Sequence, residues 1–95
     1  MTKYKNVGSG GVAASTNAAA EVAIPTQATH VMVQANTQPI SITLDGHTPT
    51  AVDGFVLTTS MAPQIFPLGY QSKLNHIRAT GTNGVIAYQF LKEIW

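Results

Sequence analysis

The side chains able to do acid–base or metal chemistry are few and scattered. The carboxylates are Glu21, Asp45, Asp53 and Glu93, and the imidazoles are His30, His47 and His76. A glycosidase-type carboxylate pair has to flank a substrate cleft. Asp45 and Asp53 stand instead at the two ends of one loop, where aspartate is expected for turn chemistry. Zinc needs three or four converging ligands, and no two of the histidines lie at a ligand-type spacing. His30 and His76 fall on the polar faces of their strands, the ordinary place for a solvated or interface histidine. Ser9, in Gly8-Ser9-Gly10-Gly11, is not in a nucleophile elbow, and these glycines lack the Lys and Ser/Thr of a phosphate-binding loop. With no cysteine, thiolate metal sites and disulfides are excluded. The expectation is a chain with no catalytic residue, no metal site and no cofactor, and therefore not an enzyme.

The one specific motif is Ile42-Thr43-Leu44-Asp45-Gly46-His47-Thr48-Pro49-Thr50, followed by Gly54 and the apolar Phe55-Val56-Leu57. A strand runs into an Asp-Gly turn, and Pro49 then fixes φ so that the loop leaves rigidly. Thr48 and Thr50 can bond nearby backbone groups. The motif predicts a stiff, exposed loop at one end of a sheet, the kind of place where function is often carried.

The elements that hold this loop read as strands. His30 to Ala35 alternates, with Val31, Val33 and Ala35 on one face, and Ile40 to Leu44 alternates three aliphatics with two hydroxyl residues. Further strands are expected at Glu21–Ile24, Phe55–Thr59, Lys73–Thr80 and Val85–Leu91. Gln64–Phe66, bracketed by Pro63 and Pro67, is expected as an edge strand. Short strands at intervals of about 8–12 residues with no helical period predict an all-β fold, a small antiparallel β-sandwich or jelly roll. Residues 21–95 are assigned to it.

Residues 1–20 are rich in Gly, Ala, Ser and Thr and read as an extended N-terminal arm. Either the arm lies on another surface, its small side chains allowing close approach, or it folds back on its own domain as a first strand or short helix. It is not a signal peptide, because Val7 to Ala20 has no Leu, Ile or Phe and is broken by Gly8, Gly10 and Gly11. The strand Val85–Leu91 is apolar on both faces and leads to Ile94 and Trp95. An antiparallel strand normally keeps one polar face, so a partner is expected to cover the second. The residues assigned to such an interface are Tyr4, Val7, Val12, Phe90, Leu91, Ile94 and Trp95.

Composition bounds the partner. Charged residues make up 9% of this 95-residue chain, against about a quarter in an average domain. A chain of this size has a thin core, and a neutral surface suits a protein packed against neighbours. A net charge of +1 carries no footprint for nucleic acid, and no apolar run is long enough for a transmembrane helix.

The stretch Thr43-Leu44-Asp45-Gly46, continuing to Pro49-Thr50, resembles a T-L-D-G-x-x-P-T segment of small virion proteins of tailed bacteriophages. His76-Ile77-Arg78-Ala79 and the later Ala87-Tyr88-Gln89-Phe90 follow in the order found there, so the resemblance covers roughly residues 28–91. It implies a capsid decoration (cement) protein at the capsid surface, in many copies or as a homo-oligomer, with the major capsid protein or other virion proteins as partners. A head–tail or tail component is the neighbouring expectation. A similar loop also occurs in carbohydrate-binding β-sandwich modules, whose binding faces present several exposed aromatics. Here Tyr4, Tyr70, Tyr88 and Trp95 are widely spaced.

Overall fold

A computed structural model describes residues 3–69 and 72–94. The described residues form nine strands: β1 (Tyr4–Asn6), β2 (Gly11–Ser15), β3 (Ala20–Val22), β4 (His30–Asn36), β5 (Ile40–Thr43), β6 (Phe55–Leu57), β7 (Gln64–Pro67), β8 (Leu74–Arg78) and β9 (Gly84–Glu93). All pair antiparallel, in two sheets. One has the order β1-β9-β4-β7 with β2 also on β9, and the other has the order β3-β8-β5-β6. From β2 onward every connection except β5–β6 crosses between the sheets. This winding, 2-9-4-7 over 3-8-5-6, is that of a jelly roll. The fold is a small antiparallel all-β sandwich, as the alternating strands predicted.

The core lies between the sheets. Val31, Val33 and Ala35 of β4 and Ile86 and Phe90 of β9 face Ile40 and Ile42 of β5, Leu57 of β6 and Leu74 of β8. Partly buried Ala13, Val22, Leu44, Phe66 and Tyr88 pack around them.

The segment expected as an arm is not detached. β1 and β2 lie end to end along one edge of β9, with Tyr4 opposite Glu93, Asn6 opposite Leu91, Gly11 opposite Tyr88 and Ser15 opposite Gly84. Between them Val7 to Gly10 stand opposite only Gln89 and Phe90, so the edge strand carries two extra residues. An even number keeps the alternation in phase, and Tyr4, Asn6, Val12 and Ala14 all point outward. The glycines make the break: Gly8 has a φ of 67°, and a Cβ on Gly10 would meet the Tyr88 carbonyl and the Gln89 side chain. The Gly-rich composition marks a bulged edge strand of the domain's own sheet.

His76 corrects a second expectation. It was placed on a polar face, but 74, 76 and 78 are the inward positions of β8, and His76 is 1% exposed. Its Nδ1 shares a 2.7 Å hydrogen bond with the buried hydroxyl of Ser15, which comes from the opposite sheet. Burial disfavours the charged ring and lowers its pKa. The unfolded chain therefore takes up the proton first as pH falls. The stability this histidine contributes is complete above its unfolded pKa of about 6.5 and is lost as pH drops below it, by up to about 1.4 kcal/mol per pH unit. Ser15→Ala is expected to cost about 1–3 kcal/mol by leaving the imidazole without its partner. The double variant Ser15→Ala/His76→Leu should recover most of that loss. Its thermal midpoint should fall less than that of wild type between pH 7 and pH 5, and equal slopes would show that His76 is solvated.

Candidate functional site

The loop between β5 and β6 begins at the Asp-Gly turn, and it does not simply project. It folds back over the outward face of the second sheet and covers Ser41, Thr43 and Asn75, which would otherwise be solvated. The Thr43 hydroxyl donates to the His47 carbonyl at 2.7 Å, Asn75 Nδ2 donates to the same oxygen at 3.4 Å, and Ser41 donates to the Asp53 carbonyl at 3.3 Å. Pro49 is fully buried under the loop. Gly54 closes it with a φ of 139°, where a Cβ would press on the Ser41 hydroxyl and the Ile42 carbonyl. Asp45, Gly46, His47 and Thr48 at its start remain exposed.

This fold-back brings together residues the sequence spaces apart. Thr50 and Asp53 exchange backbone hydrogen bonds of 3.1 and 3.3 Å, which turn the chain so that Asp53 returns to His47. His47 Nδ1 bonds Asp45 Oδ1, the His47 backbone N–H donates to the same oxygen at 3.2 Å, and His47 Nε2 stands 3.4 Å from Asp53 Oδ2. The His47 N–H and ring hold the Asp45 carboxyl below the usual range, and the bond to Asp45 raises the imidazole pKa. All three side chains are largely exposed. Among the described residues no group of three or more histidines or carboxylates is disposed to hold a metal ion.

Beside this trio a groove of about 580 Å³ opens where β6 and β7, the edge strands of the two sheets, come together. Ile42, Leu44, Phe55 and Phe66 form its floor, and Asp45 and His47 line one wall. The two phenylalanine rings meet edge to face at 5.0 Å, a favoured aromatic geometry. Phe55 is 49% exposed. Neither phenylalanine was singled out from sequence as a site residue. The signal available was a large ring directly after Gly54 and another between two prolines.

The residues assigned to a partner interface do not form one surface. Phe90 is 1% exposed and belongs to the core, because the even positions of β9 face the second sheet. Leu91 points outward yet is only 6% exposed. Tyr4 and His30 flank β9 on either side, and their rings meet edge to face at 4.9 Å over it. Phe90 and Leu91 are therefore corrected from interface residues to buried ones. Tyr4 is half-buried in that ring pair and Val7 is half-buried, its N–H donating to the Phe90 carbonyl at 3.0 Å. Ile94 is exposed, Val12 is 68% exposed, and Trp95 and Tyr70 lie outside the described residues.

Val12 is part of a second candidate surface. The outward face of the first sheet carries Val12 and Ala14 from β2, Val85 and Ala87 from β9, Met32 from β4 and Ile65 from β7. Gln34 and Gln89 lie among them around a shallow depression of about 130 Å³. Among the described residues no Lys, Arg, Asp or Glu stands between them, and Glu93 is at the end of this face. No protein-family model, no curated protein and no solved structure matches the chain.

Proposed function

We propose that the chain is a virion structural protein of a tailed bacteriophage, a capsid decoration protein that docks on the major capsid shell through the outward face of its first sheet. The observation that carries this reading is that uncharged face of Val12, Ala14, Met32, Ile65, Val85 and Ala87. Contiguous exposed apolar surface on a small domain marks an interaction site, and interface centres are depleted of charge. The T-L-D-G-x-x-P-T resemblance supports the virion, and jelly rolls recur in viral capsids, an argument from fold analogy.

The test is cosedimentation with purified phage heads lacking a decoration protein. Wild type should pellet with the heads. Val12→Glu should bind about a hundredfold more weakly or worse, since an interface that buries an unpaired charge loses at least a few kcal/mol. Its thermal midpoint should not move, because Val12 is exposed. Wild type that stays in the supernatant would sink the proposal, and retention on a polysaccharide resin instead would favour a carbohydrate-binding module.

A further inference from the structure

The groove between Phe55 and Phe66 is built by the inward-facing Phe66 and by the second sheet, so it is separate from the docking face. Its wall has an uneven hydrogen-bond balance. The Thr43 hydroxyl is spent on the His47 carbonyl, and the His47 backbone N–H and Nδ1 are both turned onto Asp45 Oδ1. Ser72, also at the groove, accepts the Gly69 N–H at 2.7 Å and keeps its own O–H, a single hydroxyl donor beside the carboxylates. What the wall retains is chiefly acceptor capacity: the second oxygen of Asp45 and, behind His47, that of Asp53.

Charge points the same way. Two carboxylates against one imidazole leave a net negative charge even when His47 is protonated. Lys73, whose backbone bridges to Asp45, has its ammonium 3.9 Å from Glu21. A neutral sugar ring would ask this wall for donors as well as acceptors. A guanidinium offers five donors in a plane, forks onto a carboxylate and stacks on aromatic rings. We infer that the groove seats an arginine side chain of a partner protein, its guanidinium on Asp45 and its stem along Phe55 and Phe66.

The probe is the peptide acetyl-Gly-Arg-Gly-amide, titrated into ¹⁵N-labelled protein. The amides of Leu44, Asp45, His47 and Phe55 should shift and saturate on the order of millimolar, as suits one side chain. The citrulline peptide, which keeps the shape and loses the charge, should need about tenfold more or fail to saturate. Asp45→Asn and Phe55→Ala, both at exposed positions, should each weaken binding by a similar factor, while Val12→Glu leaves it unchanged. Equal shifts with citrulline, or shifts scattered away from the groove, would overturn the assignment. So would a methyl glycoside that moves the same amides at lower concentration. Because the docking face is tested by Val12→Glu with phage heads, failure of either reading leaves the other standing.

Discussion

Deleting residues 3–15 is expected to lower the thermal midpoint by about 12 °C or more. The deletion removes β1 and β2, strips Ser15 from the buried His76 and leaves one edge of β9 unpaired. An orphaned buried imidazole costs about 1–3 kcal/mol, and Ala13, packed against the core, goes with the strand. A total of about 3 kcal/mol converts at about 4–8 °C per kcal/mol for a domain of this size. Such a domain has only about 5–15 kcal/mol to lose. A detached arm would behave in the opposite way, leaving the isolated domain's midpoint where it was. Scanning calorimetry of the truncated chain separates the two.

Phe90→Ala should cost about 3–5 kcal/mol, the usual range for removing a buried phenylalanine. The ring is enclosed by both sheets and lies 5.6 Å from Tyr88. Four positions on, Ile94→Ala should change stability by less than about 0.5 kcal/mol, since Ile94 is half-exposed. Urea unfolding followed by far-ultraviolet circular dichroism would measure both. A Phe90→Ala variant as stable as wild type would return this residue to an interface role.

How much of this was legible in the sequence depends on how locally each feature is determined. β4 and β5 were read correctly because alternation is a property of consecutive residues: Val31, Val33 and Ala35, then Ile40 and Ile42, all face the core. β8 was misphased because Leu74 and Ile77 sit on opposite faces, and two apolar residues of opposite parity give no majority. What decides the phase is Ser15, 61 residues away, waiting as a hydrogen-bond partner for His76. The two faces of β9 were divided correctly, but periodicity does not say which one the other sheet will cover. Nor does it foresee that Tyr4 and His30 will close over Leu91. β1 and β2 carry small residues because they lie on a single edge, and small residues with glycine look like a linker in isolation. The Asp45–His47–Asp53 trio forms only after the loop has turned back at Thr50 to Asp53, a path that depends on Pro49 and Gly54 finding their places on the sheet beneath.

β9 is the common partner of β1, β2 and β4, and it is the last of the nine strands to be made. During translation the earlier strands of that sheet therefore emerge without their central neighbour. At ribosomal speeds of about 5–20 residues per second, several seconds separate the emergence of β4 from that of β9. Throughout that interval β4 can pair only with β7, and β1 and β2, whose sheet partner is β9, have none. The first sheet can be completed only after release or after a downstream segment has pushed β9 clear of the ribosome. Until then its nascent chain is a natural client for a holding chaperone.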